Sequence, residues 1–233
     1  MRGRSRVLFA EDENRRGVGH LKLKARWTSA SLKAMDTAEK VDWATLNAHA
    51  AGRPARRLVA RAITAAGGDR PGGTVLDIGA GAGADSLQFA RRGWNVHAYD
   101  ADDTLASRLV ENERMAGSVT FHHTDVTEVT EFPPAQILYS TYTLGLLGPE
   151  GLAETWPKLV AALPRGGVAA VDMFGINDSW AERGDIATLA LEEIDEMFRD
   201  FQVIDRSVRD EDGRFLADRK HWHVITTLAR KRS

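Results

Sequence analysis

The stretch TVLDIGAGAGADS, residues 74–86, decides how this chain folds. Val75, Leu76 and Ile78 are β-compatible apolar positions, and three glycines at 79, 81 and 83 follow directly. A strand that feeds a glycine-rich turn opening a helix presents backbone N–H groups to a ligand. Asp77, two residues ahead of the first glycine, helps to say which ligand. A carboxylate there repels a pyrophosphate and attracts a cation. No Gly-Lys-Ser/Thr follows, so the loop is not a phosphate-cradling P-loop, and the G-x-G-x-G spacing departs from the dinucleotide fingerprint.

Outward from this loop, short apolar strands alternate with amphipathic stretches. WNVHAYD (94–100), SVTFHHTD (118–125), AQILYST (135–141) and GVAAVDMFG (167–175) read as further strands. ADSLQFARRG (84–93), 102–116 and PEGLAETWPKLVAAL (149–163) read as helices between them, and a long helical pattern runs from Thr37 to about Ala66. Such alternation implies right-handed crossovers and a mainly parallel sheet covered on both faces. The ending differs. A helix over 186–200 leads into two β-rich runs with no helix between them, which predicts an antiparallel hairpin turning at Asp212 and Gly213. The fold class expected is therefore a doubly wound α/β sheet of seven strands with an antiparallel C-terminal hairpin.

Composition sets outer bounds. With 43% hydrophobic and 27% charged residues the chain is a globular one, and no apolar run approaches the length of a membrane span. The absence of cysteine excludes thiolate metal sites and cysteine nucleophiles and suits a cytoplasmic protein. A net charge of −2 gives no general attraction to nucleic acid or anionic lipid. Residues 1–34 hold nine Lys/Arg against three acids and read as a basic, poorly ordered arm, with the folded domain spanning 35–233. No metal site is expected.

Asp100 ends the second strand, where an acid takes ribose hydroxyls, and Asp125 ends the third, where a carboxylate or its neighbouring backbone meets an adenine amine. Each alone is equally well a helix cap. Three acids in register with a glycine loop suit a ligand with ribose, adenine and positive charge but no phosphate, which is S-adenosylmethionine.

VLDIGAGAGADS, VHAYDAD and HHTDV resemble the successive cofactor motifs of class I S-adenosylmethionine-dependent methyltransferases. ILYSTYTLGLLGPEGLAETWPKLVAALPRGG, MFGINDSW and DRKHWHVITTLARK are more loosely similar to the small bacterial tellurite-resistance type. The resemblance implies that Gly79, Gly81 and Gly83 line the methionine moiety. It further implies that Asp100 takes the ribose, Asp125 and Val126 the adenine, and Arg53 the methionine carboxylate; Asp77, Ala80 and Ala101 are counted with them as cofactor-binding positions. Tyr139 and Ser140 would lie near the sulfonium.

Ligands bind outside the carboxyl ends of the strands, where YSTYTLG, FGINDSW and the start of the last strand converge. His221 and His223 share one face of that strand and Trp222 the other. A histidine facing the cofactor would serve as base, so His221 and His223 are catalytic candidates together with Tyr142. Phe174, Trp180 and Tyr142 suit an aromatic wall beside a sulfonium or acceptor. STYT replaces the Asn/Asp-Pro-Pro-aromatic motif of base-methylating enzymes, which favours a small-molecule acceptor over nucleic acid. Two other readings remain: an NAD(P)-dependent reductase, and a non-catalytic cofactor-binding module.

Overall fold

A computed structural model describes residues 43–103, 106 and 115–232. The basic arm and most of the 102–116 helix lie outside the described residues.

The elements begin with α1 (Trp43–Ala50) and α2 (Arg57–Ala65). The sequence pattern suggests one helix here, but Pro54 removes an N–H and forces Arg53 out of helical geometry, so the run breaks across 51–56. The break matters, because it places Arg53 and Arg56 beside the sheet. Then come β1 (Thr74–Ile78), α3 (Ala84–Arg91), β2 (Asn95–Asp100), β3 (Ser118–His123), β4 (Ile137–Ser140) and α4 (Gly148–Ala162). The chain continues through β5 (Val168–Gly175), β6 (Thr188–Leu189), α5 (Leu191–Met197), β7 (Phe201–Phe215) and β8 (Asp218–Lys231).

The sheet runs β3-β2-β1-β4-β5-β8-β7, with the two-residue β6 pairing to β5 off this path. Pairs among β1 to β6 are parallel, and β8 is antiparallel to both β5 and β7. Alternation along β1 explains the layers. Val75 joins Leu58, Ile63, Phe89 and Ile137 under α2 and α3, whereas Leu76 and Ile78 join Leu138, Trp156 and Val171 under α4 and α5. Strand order reverses between β1 and β4, which opens a crevice at their carboxyl ends.

Two local expectations are corrected. The 186–200 helix shrinks to α5, because Thr188–Leu189 pairs with β5 and Glu193 accepts the Ala190 N–H at 2.7 Å to start the helix there. The hairpin turns at 216–217, not at Asp212 and Gly213, which pair with His221 and Lys220 inside the ladder. Gly213 is needed for close approach instead: a β-carbon there would lie 2.9 Å from Cδ1 of Trp222.

Candidate functional site

The glycine loop is pinned to β2. The N–H groups of Gly79 and Ala80 both donate to the Tyr99 carbonyl, at 2.8 and 3.1 Å. Gly81 N–H donates to Asp100 Oδ2 at 2.7 Å, and Asp102 N–H to the other oxygen at 2.9 Å. Asp100 thus holds the loop while lining the space above it. Gly79 has φ +73°, and a β-carbon there would fall 1.9 Å from Thr143 Oγ1, so the loop after β4 seats against bare backbone.

Above the loop lies a cavity of about 540 Å³. Leu46, Asn47 and Ala50 of α1 line it, as do the rings of Tyr142, Phe174, Trp180, Phe215 and Trp222. Of the residues singled out from sequence, Arg53, Asp77, Gly79, Ala80, Gly81, Asp100, Ala101, Asp125, Val126, Tyr142, Phe174 and Trp180 all line this one cavity. Asp125 also caps the following turn, its Oδ1 accepting from Thr127 N at 2.9 Å and Thr127 Oγ1 at 2.7 Å.

Five candidates are not brought to the cavity wall. Gly83 sits behind it as the cap of α3, its N–H donating to the Ala80 carbonyl at 2.9 Å. Tyr139 is fully buried and edge-on to Phe89, with its ring centroid 5.2 Å away, so it packs beneath α3. Ser140 is equally buried and donates to the Ile78 carbonyl at 2.9 Å, tying β4 to β1. Trp222 lines the cavity, so alternation sends His221 and His223 to the other face of β8. There His221 bridges Asp210 (2.7 Å) and Asp212 (2.8 Å), and His223 Nδ1 accepts from Asn177 N–H at 3.0 Å. The flanking carboxylates of Asp212 and Asp210 raise the pKa of His221, which stands at the surface on the face of β8 away from the cavity. His221→Ala is accordingly expected to leave turnover within about twofold, as for an ordinary surface change; a large loss in a steady-state assay would contradict this placement.

Sequence reading missed Asn47, Arg56, Asp85, Arg209, Phe215 and Trp222, all of which line the cavity. Asp85 is the hub of a buried ion cluster. It accepts from Arg53 Nη2 at 2.7 Å, Arg56 Nη1 at 3.0 Å and the Arg56 N–H at 2.8 Å. Burial alone would push its carboxyl up, but the Arg53 and Arg56 hydrogen bonds and charges outweigh it and hold it below the usual range. Two guanidiniums on one carboxylate leave a unit of positive charge beside the loop.

Asp77 behaves in the opposite way. Burial pushes its carboxyl up to about 7, against the Ser86 hydroxyl bond, and the charges of Asp85 and Asp100 push further. A cation entering the cavity favours the ionised form. Ligand affinity is therefore expected to rise from pH ~6 to ~7.5 and then level, with about one proton released per cationic ligand at the acid end. Calorimetry of S-adenosylmethionine binding in buffers of different ionisation enthalpy measures that release. A pH-independent affinity would show that Asp77 does not sense the ligand.

Residues 75–167 match a family model described as a methyltransferase domain. Those residues are a methyltransferase domain. A curated relative, ribosomal RNA small subunit methyltransferase A of Thermotoga petrophila, is 31% identical over 91 residues, covering 39% of this chain. The chain spans only 35% of that relative's length. Among solved structures, TehB from Haemophilus influenzae superposes with a TM-score of 0.59 at 21% identity, covering 74% of this chain and 62% of that one. The 1,6-didemethyltoxoflavin-N1-methyltransferase of Burkholderia thailandensis, solved with its substrate and S-adenosylhomocysteine, has a TM-score of 0.58 at 22% identity. That match covers 76% of this chain and 78% of the other. The fold of the domain is thus the Rossmann-like methyltransferase fold. Among the described residues no helix is long and apolar enough to cross a membrane.

Proposed function

We propose that the chain is a cytoplasmic enzyme that transfers the methyl group of S-adenosylmethionine to a small molecule at oxygen, nitrogen or a soft chalcogen. The observation that carries this reading is the division of one cavity into two chemically distinct halves. One half is glycine loop and strand-terminal acids: Asp77, Asp85, Asp100 and Asp125. The other is rings and one arginine: Tyr142, Phe174, Trp180, Phe215, Trp222 and Arg209. Among the described residues no lysine lines the loop half to meet a pyrophosphate, whereas the acids suit ribose hydroxyls, an adenine amine and a cationic amino acid moiety.

In this reading the free oxygen lone pairs of Asp100 take the ribose, and Asp125 with Val126 frames the adenine. The excess charge of the Arg53–Arg56–Asp85 cluster attracts the methionine carboxylate, and Asp77 faces the positive groups. When bound, the cofactor supplies a methyl carbon already activated by its sulfonium. What the chain adds is alignment, since the ring half holds an acceptor in line with the loop half and excludes water. Among the described residues no histidine lines the cavity, and the reading requires no histidine base.

Titration calorimetry with S-adenosylhomocysteine, run beside NADH and NADPH, tests it. Saturable binding of the first alone supports methyl transfer. Binding of a nicotinamide cofactor instead would sink it in favour of a reductase, and cofactor binding without transfer to any acceptor would leave only a binding module.

A further inference from the structure

The ring half of the cavity carries information about its occupant, because its ring faces already hold cations of the protein itself. Trp180 stands edge-on to Phe174 and Phe215, at centroid distances of 5.4 and 5.0 Å, and Tyr142 edge-on to Trp222 at 5.6 Å. Lys220 Nζ lies 3.9 Å from the Trp180 centroid and 4.5 Å from that of Trp222. Arg209 lies 5.2 Å over Trp222, Arg183 5.9 Å over Trp180 and Arg56 5.3 Å over Tyr142.

An aromatic cage recruits an ammonium through the negative face of each ring. Here cations of the protein itself already lie over Tyr142, Trp180 and Trp222. Lys220 is buried and ion-paired to Asp178, which also accepts the Trp180 and His223 N–H groups at 2.9 and 3.1 Å, so this pair is a fixed part of the wall. Arg183 is likewise paired to Asp185 at 2.6 Å. Among the described residues, every carboxylate lining the cavity belongs to the loop half, while the ring half is lined by Arg209, with Arg56 bridging the Asp85 cluster and the Tyr142 ring. The acid partnered with Arg209, Glu211, points to solvent with 64% of its side chain exposed.

We infer that the methyl acceptor is a planar aromatic or heteroaromatic molecule bearing an anionic oxygen, held among these rings with that oxygen facing the Arg209 guanidinium. This rests on the methyl-transfer reading above and narrows it. Rings polarised by resident cations favour an electron-rich plane, and an oxyanion beside Arg209 meets a guanidinium whose carboxylate partner, Glu211, is turned to solvent. A cationic amine would meet the reverse at every contact. The chemistry then closes without a base: an oxygen lone pair forms the new O–C bond while the C–S bond breaks and its electron pair stays on sulfur. The negative charge of the acceptor and the positive charge of the sulfonium vanish together, and no proton remains to be removed.

The test is calorimetry on the full chain saturated with S-adenosylhomocysteine, using 2-naphthoate, 2-naphthylmethylammonium and octanoate as probes. The planar anion is expected to bind at least about tenfold more tightly than either the planar cation or the non-planar anion. Arg209→Gln should remove about tenfold of that affinity and Arg209→Lys should keep most of it, with S-adenosylhomocysteine binding retained as the check on folding. Equal or tighter binding of the ammonium or of octanoate overturns the inference, as does a failure of all three probes or an Arg209→Gln variant that binds naphthoate normally. A wild-type chain that does not bind S-adenosylhomocysteine overturns the methyl-transfer reading itself, which is a separate and distinguishable result.

Discussion

Gly79→Ala is expected to abolish cofactor binding and to lower the melting temperature sharply. The left-handed conformation at this residue, φ +73°, costs an alanine roughly 1–2 kcal/mol before any contact is considered. The new methyl group then falls 1.9 Å from Thr143 Oγ1 and 2.5 Å from Thr143 Cβ, and overpacking of this kind typically costs a further ~1–3 kcal/mol. Thr143 cannot simply turn its hydroxyl away, because its β-carbon is also too close. The loop after β4 must move as a unit, and it carries Thr141 and Tyr142 into the cavity wall. Thr143→Gly, which removes the opposing side chain, should restore part of the stability lost in Gly79→Ala. A thermal melt of both variants and the double variant reads the coupling. An unchanged melting temperature for Gly79→Ala would mean that β1 and the β4 loop do not approach this closely.

That contact shows what a sequence discloses and what it withholds. The strand, the glycines and Asp100 were legible because local pattern sets them: apolar runs fix strand ends, and an acid at a strand's carboxyl end faces the crevice wherever the sheet is parallel. The order of the elements and the antiparallel ending followed in the same way. The facing of β8 did not. Alternation says that His221 and His223 oppose Trp222, but only the long-range register of β8 against β5, with Phe174 opposite Val224, decides which side meets the cavity. Tyr139 and Ser140 failed for a related reason, since β4 is buried on both faces and the cavity wall begins only at Thr141. Gly213 read as a turn because a glycine serves a close packing contact as well as a bend. The Asp85 cluster joins residues 29 and 32 positions apart across a broken helix, and no periodicity links them.

Asp85→Ala is the second large effect expected. The carboxylate has only 4% of its side chain exposed, yet two guanidiniums and a backbone N–H converge on it. Breaking a buried ion pair by removing one partner costs ~3–5 kcal/mol, because the other charge stays behind without compensation. Arg53 and Arg56 keep 25% and 35% of their side chains exposed, so water relieves part of this and the lower end, about 3 kcal/mol, is expected. The pH dependence supplies a second signature. The Asp85 carboxyl is held below its ordinary value in the folded chain, so its contribution is present above the unfolded pKa and is lost as pH falls through the folded one. In urea titrations the wild-type advantage over Asp85→Ala should therefore be full at neutral pH and shrink in acid below pH ~4. The substitution also removes one of the negative charges that raise Asp77, so the rise in cofactor affinity near neutrality should move to lower pH. A variant that loses stability but leaves that pH window in place would confine Asp85 to holding the 51–56 segment against α3. A shifted window would mean that the cluster sets the charge the cofactor meets.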